Sequence, residues 1–139
     1  MRKRTRAREF ALQALYQMDL THDSAQAVLD NFWQAQRQED IEPEMKTFTA
    51  ELVLGVEANV TGIDAKISHY ATNWQLERMA VVDRNILRLS CFELTQREDI
   101  PPKVSINEAV DLAKKYSGPE AGKFVNAILD KIKMEQDTK

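Results

Sequence analysis

Apolar residues recur along this chain at helical spacing, and nowhere do they alternate at the period of two that a half-buried strand requires. Ala7, Phe10, Ala11, Ala14 and Met18 share one face of a first helix, predicted from Thr5 to Leu20. A polar break follows at Thr21 to Ser24. Asp23 with Gln26 resembles a capping box and starts a second helix, running to Gln36 with Val28, Leu29, Phe32 and Trp33 on its apolar side. After a charged loop, Arg37 to Glu42, Pro43 suits the first turn of a third helix, where its missing N–H costs nothing. Met45, Phe48, Leu52, Val56 and Val60 form its stripe. Gly62 predicts a break or bend, with Ile63 to Tyr70 as a short fourth helix ending at the Thr72–Asn73 turn.

The fifth helix, predicted over Leu76 to Gln96, is the most hydrophobic. Met79, Val82, Ile86, Leu89 and Phe92 make one stripe, and Val81, Leu87 and Leu94 add apolar surface elsewhere, as expected of a central, enclosed helix. Ile100-Pro101-Pro102 cannot continue it. Ser105-Ile-Asn-Glu108 reads as a capping box opening a sixth helix to Tyr116, and a seventh starts at Glu120, past Gly118-Pro119, with Val125, Ile128, Leu129 and Ile132 facing inward. The expectation is an all-α fold of about seven helices. They form one domain over residues 1–139, built as two packed helical subdomains with a boundary near 60–62.

Composition agrees. With only 4 glycines and 4 prolines among 139 residues, helix breakers are scarce. Cys91 is the single cysteine, which rules out an internal disulfide, and its place inside an apolar helical pattern suits a small core side chain. No stretch approaches the roughly 20 apolar residues that span a bilayer. No apolar segment follows the basic start as a secretory signal would require, so the expected compartment is cytoplasmic, with no membrane role.

Charge changes the picture most. The chain carries 19 basic and 22 acidic side chains. Arg2, Lys3, Arg4, Arg6 and Arg8 are five of the basic ones, so the rest of the chain holds 14 against 22. A short cationic segment on an anionic body points to a polyanion held at one place. On the helical wheel Tyr16 lies roughly opposite the core stripe, beside Leu12 and Leu20. Arginines take phosphate oxygens in bidentate fashion, and an open tyrosine stacks on an unpaired base, so the pair suits single-stranded RNA. Competing readings stand beside this one: Tyr16 packed under a second layer of helices, the arginines as a frayed solvated terminus or a transit peptide, and an amphipathic membrane anchor. The two histidines, His22 and His69, have no partner at ligand spacing, so no metal site is expected. No GxxxxGK[ST] or GxGxxG loop is present, and no pair of carboxylates is marked for acid–base work. No cofactor is expected, and the chain reads as a non-enzyme.

Four segments carry a resemblance. Val104-Ser-Ile-Asn-Glu-Ala-Val-Asp-Leu-Ala-Lys114 with Lys123-Phe-Val-Asn-Ala-Ile-Leu-Asp130 is similar to the signature of the NusB family. Arg8-Glu-Phe-Ala-Leu-Gln-Ala-Leu-Tyr16 and Arg84-Asn-Ile-Leu-Arg-Leu match as well, in the right order along nearly the whole chain. The resemblance implies an all-helical transcription antitermination factor that binds boxA RNA together with a small-subunit ribosomal protein, NusE. The complex would serve the transcription elongation complex on ribosomal RNA operons, and the maturation of their RNA. It places the RNA-binding residues at Arg2, Lys3, Arg4, Arg6, Arg8, Tyr16, Tyr70 and Phe124, with Lys123 beside a phosphate. Glu120 falls where the family often has an acidic residue near the RNA. Asp83 and Arg84 are the candidate contacts for the protein partner. Two alternatives remain: an accessory domain of the kind found at the front of ribosomal RNA cytosine methyltransferases, and a pure protein-interaction module.

Overall fold

The structure, a computed structural model, describes residues 2–35 and 41–138. Its described elements are helices α1 (Lys3–Thr21), α2 (Ala25–Ala35), α3 (Pro43–Tyr70), α4 (Val81–Gln96), α5 (Pro102–Tyr116) and α6 (Pro119–Asp137), with one 3-10 turn at Leu76–Arg78. The fold is all-α, as the periodicity predicts. The chain divides into two compact units, Met1–Ala58 and Asn59–Lys139.

In the first unit, α1 and α2 pack together and the start of α3 joins them. Phe10, Phe32 and Met45 form the core, with Trp33 and Ile41 packed against it. The rings of Phe10, Phe32 and Trp33 meet edge to face at 5.1–5.8 Å, a geometry that adds to the burial itself. The buried Thr49 hydroxyl donates to the Ala7 carbonyl at 3.2 Å, tying α3 to α1. In the second unit, α4, α5 and α6 pack pairwise, and Ile86, Leu87 and Leu89 of α4 with Val125, Leu129 and Ile132 of α6 are buried. Arg88 on α4 grips Asp64 on α3 with two parallel bonds of 2.8 and 3.1 Å, the fork geometry that arginine presents to a carboxylate.

Four predicted helix boundaries move. Gly62 does not break the chain: α3 runs through it as one 28-residue helix. A mid-helix glycine costs about 1 kcal/mol, whereas burying one isoleucine gains about 1.5–3 kcal/mol. Ile63, the next residue, and Ile67, one turn beyond it, are both buried, so packing wins. The fifth predicted helix starts late, because Met79 and Ala80 are extended and α4 begins at Val81. Helix α5 begins at Pro102, not at Ser105. The Ser105 N–H already donates to the Pro101 carbonyl, and its hydroxyl, buried, pairs with the Ser90 hydroxyl at 2.8 Å instead of capping. Finally, α2 is capped by Ser24 and not by Asp23: Ser24 Oγ accepts from the Ala27 N–H at 3.2 Å, while Glu57 on α3 accepts from the Ala25 N–H at 2.7 Å. The predicted end of that helix at Gln36, and most of the charged loop after it, lie outside the described residues.

Candidate nucleic-acid interface

The cationic segment is the first turns of α1, folded onto its own unit. Arg2 is the extended residue before the helix and is exposed. Lys3, also exposed, meets Glu42 at 2.7 Å and Glu44 at shorter range. Its hydrogen bonds to Glu42 and then Glu44 hold the ammonium above its ordinary pKa, and the same bond holds the Glu44 carboxyl below the usual range. Arg4 is exposed, with its guanidinium 4.4 Å from the centre of the Phe48 ring. Arg8 approaches that ring too, at 5.3 Å, but is only 2% exposed. Arg6, half-buried, stands 4.6 Å from the Phe10 ring and 3.3 Å from the buried Glu9 carboxylate. Such cation–π contacts are worth about 0.5–2 kcal/mol each and turn the arginine stems into packing. Of the five expected phosphate ligands, Arg2, Lys3 and Arg4 therefore face solvent and Arg8 faces inward. Tyr16 is 39% exposed on the same helix, above the buried Leu12 and beside the exposed Leu20.

The second unit carries Tyr70, Lys123 and Phe124. Tyr70 closes α3, half-buried, and its hydroxyl donates to Glu135 Oε2 at 3.0 Å. Lys66 donates to the other oxygen of that carboxylate at 3.1 Å. Burial, then the bond to Glu135, raises the Tyr70 pKa. The Tyr70 and His69 rings meet edge to face, their centres 4.7 Å apart. Phe124, half-buried on α6, meets Trp74 edge to face at 6.1 Å, and Lys123 stands exposed, 3.6 Å from Glu120. Trp74, Arg78, Asp83, Ser117, Glu120 and Phe124 are among the walls of a groove of about 480 Å³.

Asp83 and Arg84 part company. The Arg84 guanidinium donates to the Glu77 carbonyl at 3.3 Å, whereas Asp83 lines the groove. The periodicity missed Trp74, which is 56% exposed, and Arg78. Both follow the Thr72–Asn73 turn, and that turn is the one local signal that their side chains leave the helical pattern.

Among the described residues there is no group of three or more His, Cys, Asp or Glu side chains able to hold a metal ion, and no helix is long and apolar enough to cross a membrane. Cys91 is buried, and burial pushes its thiol up to about 12, so it is inert and not nucleophilic.

The sequence profile of the NusB family matches residues 5–134. Transcription antitermination protein NusB of Anaeromyxobacter dehalogenans (strain 2CP-1 / ATCC BAA-258) is 48% identical over 130 residues, which cover 94% of this chain and 89% of that protein. The protein of the same name in Myxococcus xanthus (strain DK1622) is 44% identical over 95% of both chains. Among solved structures, a chain in the crystal structure of the antitermination factors NusB and NusE in complex with dsRNA superposes with a TM-score of 0.87 at 29% identity, covering 97% of this chain and 98% of that one. A chain from the crystal structure of a plectonemic RNA supercoil gives 0.90, at 29% identity over 100% of this chain and 99% of its own length. With the matching profile spanning almost all of the described helices, this chain belongs to the NusB family.

Proposed function

We propose that this protein is a non-enzymatic transcription antitermination factor that binds boxA-type single-stranded RNA together with the small-subunit ribosomal protein NusE. In that role it supports transcription of ribosomal RNA operons from within the elongation complex, in the cytoplasm. The observation that carries this reading is the pairing of a cationic helix start with open aromatic rings on a family member. Arg2, Lys3 and Arg4 supply salt-sensitive affinity for phosphate, with Arg6 at their edge. The buried Arg8 acts from behind, as packing that holds the turn. Tyr16 in the first unit, and Tyr70 and Phe124 in the second, supply faces on which unpaired bases stack, and Lys123 meets a phosphate. Asp83 and Arg84 on α4 are the candidate contacts for the ribosomal protein. If RNA and partner bind better together than alone, the coupling is reciprocal: each raises the affinity of the other by the same factor.

The test is filter binding of a boxA-like RNA and a scrambled RNA, with and without the ribosomal protein. The expected result is tighter binding of the boxA-like RNA, and a gain with the partner present. Equal, weak binding of both RNAs under both conditions would leave a pure protein-interaction module as the better account.

A further inference from the structure

A second hollow in the second unit shares none of the candidate RNA-binding or partner residues. Its volume is about 220 Å³, and it lies between α3 and the C-terminal parts of α4 and α6. Each of the three helices lends it one carboxamide: Asn59, Gln96 and Gln136. A carboxamide sets an N–H donor beside a carbonyl acceptor. Thr95 lines it too, and its hydroxyl already donates to the Cys91 carbonyl at 2.8 Å, so toward a ligand it accepts. Ile63 and Cys91 supply the apolar part of the wall. At Gly62 the wall carries no side chain, and a Cβ built there meets nothing within 4 Å.

Charge and size narrow the ligand. Lys66, the cation on the wall, is already paired with Glu135 at 3.1 Å. Burial keeps the Cys91 thiol protonated at neutral pH. No carboxylate lines the hollow among the described residues. An anion must therefore compete with Glu135, and a cation finds no counter-charge. At roughly 30 Å³ for each water, 220 Å³ has room for about seven waters, the bulk of one single or fused flat ring and too little for a whole nucleotide.

We infer that this hollow binds one neutral, flat heterocycle of the nucleobase type, with an amino group beside a ring acceptor, as in adenine. Asn and Gln carboxamides pair with that edge through two parallel hydrogen bonds. The ring lies in the gap at Gly62, against Ile63. Such a base comes from one of two sources: a free base or nucleoside, or an unpaired base in a strand. The site stands apart from the cationic start of α1, so the inference does not depend on the antitermination role.

Nitrogen-15 NMR titration of the full chain tests it, because the side-chain amides of Asn59, Gln96 and Gln136 and the Gly62 N–H report on the hollow directly. Adenine is expected to shift these signals. Unsubstituted purine, the same ring without the amino group, should bind about tenfold more weakly, the worth of one bidentate edge contact. Gln96→Ala and Gln136→Ala should each weaken adenine by a similar factor. Gly62→Leu fills the gap with a better helix former and should abolish the shifts with the thermal midpoint retained; the two glutamine variants carry the test if that variant does not fold. Adenosine and a single-stranded oligoadenylate separate the sources: shifts with adenosine alone assign the site to a free nucleoside, and shifts with both assign it to a strand as well. Adenine signals confined to other parts of the protein would overturn the assignment. So would equal binding of adenine and purine, or affinities that neither glutamine variant alters.

Discussion

Tyr16 and Arg8 lie two turns apart on one helix, yet burial gives them opposite duties. Tyr16 is more than a third exposed, so its loss removes little core. Tyr16→Ala is expected to weaken RNA binding by about 1–3 kcal/mol, the worth of one stacked base, while shifting the thermal midpoint by no more than about 2 °C. Titration and a melting curve on the same sample check both halves, and a large stability loss with RNA binding intact would move Tyr16 into the core. Cys91 gives a second residue-scale expectation. Its folded thiol titrates near 12, above the ordinary value of 9.0. Raised in the folded state, it contributes stability that is fully present below about pH 9 and is lost as pH rises toward about 12, because only the unfolded chain releases that proton. Cys91→Ala should therefore remove part of the alkaline fall in stability seen in denaturant titrations at successive pH values. The position of the cysteine in an apolar pattern was enough to read this from sequence. The inward turn of Arg8 was not legible, because it depends on Phe48, forty residues away, lying beside it.

Helices were legible where a stripe of apolar residues is long, and were misread where a local motif competed with a distant partner. Ser105 and Glu108 have the spacing of a capping box, but Ser90 is the group that Ser105 meets, and no local pattern reveals it. The consequence is measurable. Ser105→Ala leaves the Ser90 hydroxyl buried without that partner and is expected to cost about 1–2 kcal/mol, whereas Ser90→Ala with Ser105→Ala should cost less than the two single losses added together. If Ser105 instead worked as a cap, the two substitutions would be additive. Gly62 teaches the same lesson from the other side. As a helix breaker it suggested a boundary, but α3 passes through it, and a Cβ built there meets nothing within 4 Å. Gly62→Ala should thus stabilise the protein by about 0.5–1 kcal/mol through helix propensity and a less disordered unfolded chain. Equilibrium unfolding in urea measures it, and a loss of stability would mean that the glycine is needed for its conformation.

At the scale of the molecule, the contrast between a cationic start and an anionic body was visible in the sequence alone, and the structure shows how much of that charge is open. Lys3 is held by Glu42 and Glu44, Arg6 leans on Glu9, and Arg8 is enclosed, so the acidic body already engages part of the cationic segment. Binding RNA through Lys3 requires exchanging its carboxylates for phosphate. Each phosphate neutralised on a single strand contributes about 0.7 to the slope of log affinity against log salt. Arg2→Ala with Arg4→Ala should flatten that slope by about 1.4 if each arginine meets one phosphate, and weaken binding most at low salt. Arg8→Ala should lower the melting temperature and leave the slope nearly unchanged. Glu42→Gln with Glu44→Gln works in the opposite sense: with its ammonium released, Lys3 becomes available to phosphate, and the slope should steepen by up to about 0.7 with tighter binding at low salt. A flat response in the arginine pair together with a slope untouched by the glutamate pair would mean that RNA meets this protein somewhere other than the start of α1.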